Sequence, residues 1–271
     1  MSCVGLFVTW FVNQQPEREQ EFRAGTPARL TLRGEVLGVD VNRSEMSIRL
    51  TFEPENDLLA PDGRSLRRNL LLVVNAASGQ TERPLLAGHP PNPTDVTISI
   101  FGGEPADFPF DRHRAVLLLD LTDGPGENAQ EVPFTLLLTS AVNGLGIDTT
   151  AGTHGSGFVE IDFLVTRSNA SIGFALLVMA MMWGLTLGVY SLMIAIVFFD
   201  KRIEATIFSW LGAMLFAFPA LRSAVPGAPP IGAAIDYFAF FWAETMVALC
   251  LLTILVTYIR RPLEAGASHR H

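Results

Sequence analysis

The segment SIGFALLVMAMMWGLTLGVYSLMIAIVFF, from Ser171 to Phe199, contains no charged residue over its 29 positions. A transmembrane helix needs about 20 consecutive apolar residues, so this segment is long enough to cross a lipid bilayer. At ~1.5 Å per residue it exceeds a ~30 Å hydrocarbon core, and we expect it to tilt or to project from one face. The segment therefore predicts a helical, membrane-spanning C-terminal part of the chain.

Two further segments, 205–221 and 235–259, are apolar enough to complete an α-helical transmembrane bundle. The N-terminal residues 1–12, MSCVGLFVTWFV, are also apolar but are too short to span a bilayer alone. We expect them to be a partial N-terminal membrane helix, the C-terminal end of a first span. The composition agrees, because 17% of the residues are charged whereas about 25% is typical of soluble domains.

Basic residues in the short loops predict the orientation of the spans. Lys201 and Arg202 follow the first long span, and Arg260 and Arg261 follow the last. Both positions are expected to be cytoplasmic, which makes 260–271 a cytoplasmic tail. The residues before the first long span must then be extracytoplasmic, and we expect a multipass protein of the bacterial inner (plasma) membrane.

The charge is concentrated in the polar part of the chain. Between Asn13 and Ser168 there are 13 arginines against 22 acidic residues. An acidic domain is a poor partner for nucleic acid or anionic lipid, so the expected partners are the bilayer itself and either another protein or a second copy of the chain. Cys3 and Cys250 both lie in apolar runs, which argues against a disulfide framework and against a cysteine-based zinc site.

Residues 27–168 have the pattern of an all-β extracytoplasmic sandwich. SIRLTF alternates Ile48, Leu50 and Phe52 with polar residues, as a half-buried strand does. Seven short apolar runs separated by turn residues predict seven strands. These are Arg29–Asp40, Met46–Phe52, Asn69–Asn75, Thr94–Ile100, Ala115–Leu121, Val132–Thr139 and Gly157–Val165.

The motif formed by Phe108, Pro109, Phe110 and Asp111 is the main candidate site of this domain. Pro109 favours an extended Phe108, so the two phenylalanines should point to roughly opposite sides and one can enter a core. Asp111 can cap its own turn, with Arg112 and Arg114 near enough to neutralise it or Asp107. The interpretation as a strand entry competes with that of a cation-binding or partner-binding site.

A β-rich external domain with this aromatic-Pro-Phe-Asp motif, three spans and a basic tail resembles the bacterial membrane protein family of domain of unknown function 4436. The resemblance implies a multipass membrane protein, and it supplies no activity or functional residue. Members of that family begin with a full transmembrane helix, and this chain departs from them there. The same four letters occur in pentameric ligand-gated channels, but the paired cysteines of those channels are missing here.

Glu244 is the one ionisable residue deep within a predicted span, where a charge costs at least ~2.5 kcal/mol on insertion scales. It is either a proton or cation relay or a residue of helix packing, with Thr186, Tyr190, Ser191 and Thr206 as available partners. His89, His113 and His154 lack metal-ligand spacing and are expected on loops or the surface.

No arrangement of nucleophile, base or metal ligands is evident in the sequence, and no cofactor is expected. The prediction is a non-enzymatic scaffold or accessory subunit that binds envelope partners through its external β domain. The alternative is a transport or proton-coupled membrane component that uses Glu244.

Overall fold

The computed structural model describes residues 19–55, 57–126, 129–199, 201, 203–227 and 229–268, with side chains described up to 260. The chain divides into two compact units. A β unit contains the residues up to Pro105 together with Phe110–Ala170, and a helical unit contains Ala106–Pro109 together with the residues from Ser171 onward. The partial helix predicted for 1–12 lies outside the described residues.

The described residues of the β unit form ten strands, where the sequence predicted seven. They are β1 (Glu19–Ala24), β2 (Leu30–Asp40), β3 (Glu45–Pro54), β4 (Leu70–Val74), β5 (Glu82–Leu85), β6 (Thr94–Phe101), β7 (Arg112–Thr122), β8 (Phe134–Thr139), β9 (Leu145–His154) and β10 (Phe158–Arg167). A short 3₁₀ turn, Pro105–Asp107, separates β6 from β7.

The strand order is β1-β8-β2-β3-β6-β7-β10-β9, with β4 paired to β7 and β5 paired to β4. The first group of strands (β1, β8, β2, β3 and β6) is joined to the second group (β5, β4, β7, β10 and β9) because β6 pairs with both β3 and β7. The two end strands also meet, since Thr149 of β9 donates to Gln20 of β1. The all-β prediction is confirmed, and the strands form a large sheet that is nearly closed into a barrel.

Alternation of apolar and polar residues explains most of the strands. In β3 the side chains of Met46, Ile48, Leu50 and Phe52 are buried, and the residues between them face outward. The apolar run LLLVV of β4 also alternates, because Leu70, Leu72 and Val74 are buried while the two residues between them are half-exposed. Apolar side chains are therefore left on the outer face of the second group.

Three strands escaped prediction, and each lacks the usual pattern. β9 contains glycines and threonines without apolar alternation, and it is a strand because it pairs with β10 over nearly its whole length. β5 has four residues and a proline. β1 lies before residue 27, where the β domain was expected to begin, and it pairs with β8.

The helical unit contains α1 (Asn169–Phe198), α2 (Ala205–Ser223) and α3 (Phe241–Ser268), with a π-helical turn over Asp236–Phe240 leading into α3. Asn169–Phe198, Ala205–Ser223 and Asp236–Arg260 are long and apolar enough to cross a membrane. Helical structure satisfies every backbone hydrogen bond internally, as a bilayer requires. Helix α3 continues to Ser268, so most of the segment predicted as a tail is helical.

Small residues allow close helix packing in this unit. Ala239, Ala243, Val247 and Cys250 form a buried stripe that continues into α3. They belong to one hydrophobic cluster with residues of α1 and α2. In α1, a Cβ placed at Gly184 or Gly188 would meet no atom of a neighbouring element within 4 Å.

A buried ion pair closes the connection between α2 and the π-helical turn. Arg222 donates from Nε and Nη2 to the two carboxylate oxygens of Asp236, each at 2.9 Å. The same Nη2 donates to the carbonyl of Pro230, and the amide of Gly232 donates to Asp236. The Asp236 side chain is 1% exposed, so these contacts replace the hydrogen bonds that the carboxylate would otherwise make with water.

We expect the Asp236→Asn substitution to destabilise the helical unit by about 3–5 kcal/mol, because it leaves the Arg222 charge buried without a counter-ion. The thermal unfolding midpoint of the full chain in detergent measures this loss. The paired substitution Arg222→Met with Asp236→Leu is the control, and it should destabilise less than Asp236→Asn alone. A double variant at least as unstable as Asp236→Asn would contradict the role of the pair.

Candidate functional site

The candidate motif lies between the 3₁₀ turn and β7, and its two phenylalanines differ completely in exposure. Phe108 is fully buried and Phe110 is 61% exposed, as their expected opposite orientation implies. Phe108 belongs to the hydrophobic cluster of the helical unit, although the sequence analysis placed the motif in the β domain. The motif therefore divides, with Phe108 and Pro109 in the helical unit and Phe110 and Asp111 in the β unit.

Asp111 is the centre of a buried charge cluster, and its side chain is 1% exposed. Arg167, the last residue of β10, donates from Nε to Oδ1 at 2.9 Å and from Nη2 to Oδ2 at 2.9 Å. The Nε2 atom of His113 lies 3.0 Å from Oδ2 of the same carboxylate. A bidentate arginine–carboxylate pair combines strong hydrogen bonds with fixed geometry, so the start of β7 is tied to the end of β10.

The neighbours of Asp111 stabilise its ionised form. Burial alone would raise the pKa of this carboxyl, but hydrogen bonds from Arg167 and His113, together with their charges, outweigh burial and hold the pKa below its usual value. Asp111 is therefore a carboxylate at neutral pH.

Both ring nitrogens of His113 face acceptors. Nδ1 lies 3.0 Å from the carbonyl oxygen of Gly102, and Nε2 faces the Asp111 carboxylate. These two contacts hold the imidazole ring between the turn at Gly102 and the Asp111 carboxylate. The turn needs glycine at Gly103, because its φ is +73° and a Cβ there would lie 2.0 Å from the carbonyl oxygen of Arg112.

Sequence reasoning found Asp111 but assigned it the wrong partners. Arg112 and Arg114 are exposed, and Arg167, which is 56 positions further along the chain, supplies the counter-ion. The prediction that His113 is a loop or surface residue is wrong, since its side chain is 5% exposed. The sequence did indicate this burial, because His113 lies at alternate positions of β7 with Ala115 and Leu117, which also point inward.

The cluster has little capacity to bind a ligand. Both oxygens of Asp111 already accept hydrogen bonds from protein donors. Within the part of the chain that the structure describes, no group of three His, Cys, Asp or Glu side chains is placed to hold a metal ion. The geometry of Asp111 supports a structural role in place of a cation site.

Glu244, the second candidate, lies at the start of α3. Its Oε2 atom is buried and has no hydrogen-bond partner among the described residues, and the same is true of the hydroxyl of Thr186. Ser191, which was considered as a partner, donates to the carbonyl of Leu187 in its own helix. A partly buried carboxyl without a partner is unusual in a membrane span, so Glu244 stays a candidate.

An all-β unit followed by three helices that can cross a membrane defines a class of membrane protein with one polar domain. The family model "Domain of unknown function (DUF4436)" matches residues 20–165, and the chain belongs to that family. A second model, "Domain of unknown function (DUF8686)", matches residues 167–261. The helices thus match a model of their own, whereas the resemblance seen in the sequence took them together with the β domain. No curated protein matches the chain.

The depressed pKa of Asp111 predicts a loss of stability in acid. A carboxyl whose pKa is lower in the folded state stabilises the fold fully above its unfolded pKa of about 3.9, and this contribution disappears as the pH falls through the folded value. We expect the thermal unfolding midpoint of the full chain in nanodiscs to fall when the pH is lowered below about 4.

The Asp111→Asn variant should be less stable by about 3–5 kcal/mol at neutral pH, because Arg167 loses its counter-ion, and it should lose less stability on acidification. Asp107→Asn, an exposed position in the same loop, is the matched control and should keep the wild-type profile. If the stability of Asp111→Asn falls with pH as steeply as that of the wild type, Asp111 is not the group whose ionisation stabilises the fold.

Proposed function

We propose that this chain is a non-enzymatic membrane protein, a scaffold or accessory subunit that binds another envelope protein through its β unit. In this proposal it is a multipass protein of the bacterial plasma membrane, with the β unit extracytoplasmic and the C-terminus cytoplasmic. The observation that carries the proposal is the difference between the two outer faces of the β unit.

The outer face of the first group is closed by ion pairs between neighbouring strands. Arg33 on β2 donates to Glu53 on β3 at 2.7 Å and also contacts Glu19 on β1. Arg49 on β3 forms a bidentate pair with Asp95 on β6, at 2.8 and 2.9 Å. These charges are exposed and satisfy one another, so this face is typical of a surface that stays in water.

The outer face of the second group combines apolar side chains with charged ones, since Glu160 and Asp162 of β10 are the cross-strand partners of Leu118 and Val116. Leu71, Val73, Val116 and Leu118 are half-exposed on β4 and β7, and Leu164 on β10 is 37% exposed. Apolar residues grouped on one face are a common feature of protein-binding surfaces. This asymmetry favours a binding module.

The buried pairs support the other parts of the proposal. Asp111 is engaged on both oxygens, which leaves it unsuited to act as a general base or a nucleophile. Arg222 lies at the end of α2, and its charge is neutralised by the buried Asp236. Lys201 and Arg202 follow the first long helix in the sequence, and Arg260 and Arg261 lie near the end of the last, which favours a cytoplasmic C-terminus.

The alternative function is a transport or proton-coupled component that uses Glu244. The buried, unpartnered Oε2 atom of this residue is the observation that favours it. A carboxyl of this kind inside a membrane commonly faces a proton or ion pathway.

Photo-crosslinking in native membranes tests partner binding. A benzoylphenylalanine at Leu164, on the second group, should give one abundant crosslinked species, which mass spectrometry identifies as another envelope protein or a second copy of this chain. The same probe at Leu37, which is 42% exposed on the first group, is the matched control and should give none. If both positions give no adduct, or adducts of equal yield, the proposal is wrong.

The Glu244→Gln substitution separates the two functions, because glutamine keeps the shape of the side chain and removes its titratable proton. Under the scaffold proposal we expect the crosslinks and the cellular phenotype to be unchanged. Loss of the phenotype with an unchanged crosslinking pattern and unchanged stability would favour the proton-coupled alternative instead.

A further inference from the structure

An open groove of about 680 Å³ lies at the β4–β5 edge of the second group. Apolar side chains line much of it: Leu71 from β4, Pro84 and Leu86 from β5 and the residues after it, and Pro125 from the loop that follows β7. Leu86 is 56% exposed, the largest exposure of a leucine in the described β unit. The groove is therefore an accessible apolar surface on the face that the proposed function assigns to partner binding.

The charges around this groove are acidic. Cross-strand pairing places Pro84, Leu71, Thr122 and Glu131 in one row, since each residue is the partner of the next. The adjacent row contains Glu82, Val73 and Asp120. Residues paired directly across strands share a face of the sheet, so three carboxyls border the apolar side chains of Leu71 and Val73.

None of these three carboxyls forms an ion pair with another described residue, in contrast to the acids of the first group. Burial and the negative charge of Glu131 raise the pKa of Asp120, which shows that the repulsion between the two carboxyls is not relieved. Arg83 is paired with the buried Leu72, and its guanidinium donates to Gln80, a residue of the groove lining, so one cation stands against the three carboxyls. The groove thus has an unbalanced negative border.

The free edge of β5 does not favour the addition of another strand. The amide of Val74 donates to the carbonyl of Thr81, which makes these two residues a hydrogen-bonded pair. Pairs alternate in an antiparallel ladder, so the backbone groups of Glu82 and Pro84 point outward. Pro84 lacks the N–H that an added strand would need, and an occupant must bind chiefly through its side chains.

We propose that this groove binds an extended segment of a partner protein in which lysine or arginine accompanies apolar side chains. The apolar side chains would cover Leu71, Pro84 and Leu86, and the cations would face Glu82, Asp120 and Glu131. This inference rests on the proposed function, because it names the place and the chemistry of partner binding by the β unit.

A random dodecapeptide library, displayed on phage and selected on the full chain in nanodiscs, tests the inference. We expect the selected peptides to be enriched in Lys or Arg next to apolar residues. The Glu82→Lys and Leu86→Arg double variant should weaken their binding at least about tenfold, because it reverses one border charge and places a cation in the groove. Both positions are exposed, so the variant should fold normally.

The control is the Glu35→Lys and Leu37→Arg double variant, which makes the same changes at exposed positions of β2 and should bind as the wild type does. The inference is overturned if selection yields no binder, if it enriches acidic peptides, or if the two double variants behave alike. Should the crosslink at Leu164 persist in that case, the proposed function stands and only the groove is wrong. If neither peptide binding nor the crosslink at Leu164 is observed, both the groove inference and the proposed function are wrong.

Discussion

The burial of one carboxylate, that of Asp111, constrains how the start of β7 and the end of β10 are held together in the β unit. An isolated charge inside a protein is so costly that it must be paired and hydrogen-bonded. Arg167 and His113 meet this demand, and they do so from β10 and β7, which pair along their length. Because Asp111 directly precedes β7 and Arg167 is the last residue of β10, the same pair holds these two strand ends together within the β unit.

The helical unit uses the same solution. Arg222 and Asp236 also form a bidentate buried pair, and it too lies where one element ends and the next begins. Replacing a buried ion pair by apolar residues is often neutral, whereas removing one partner is costly, so such pairs contribute geometry more than net stability. In each unit an arginine–aspartate pair thus sets the conformation of a connection beside a hydrophobic cluster.

The sequence was informative where a feature depends on neighbouring residues. The three long apolar helices and the alternating strand at Met46–Phe52 follow from local patterns, and all of them form. The partners of Asp111 depend on contacts between distant positions, which no local pattern records. β9 was missed for another reason, because its glycines and threonines show no apolar alternation. His113 was predictable only in part. Its position in the alternation of β7 indicated that it is buried, but its acceptors, Gly102 and Asp111, are evident only from the fold.

The most direct test of this account is a double-mutant cycle on Asp111→Asn and Arg167→Gln, with unfolding free energies measured on the full chain. A buried, bidentate pair predicts that the two losses are strongly non-additive, with a coupling energy of about 2–3 kcal/mol. Losses that add to within about 0.5 kcal/mol would show that the two residues act independently, and the central constraint proposed for this fold would be wrong.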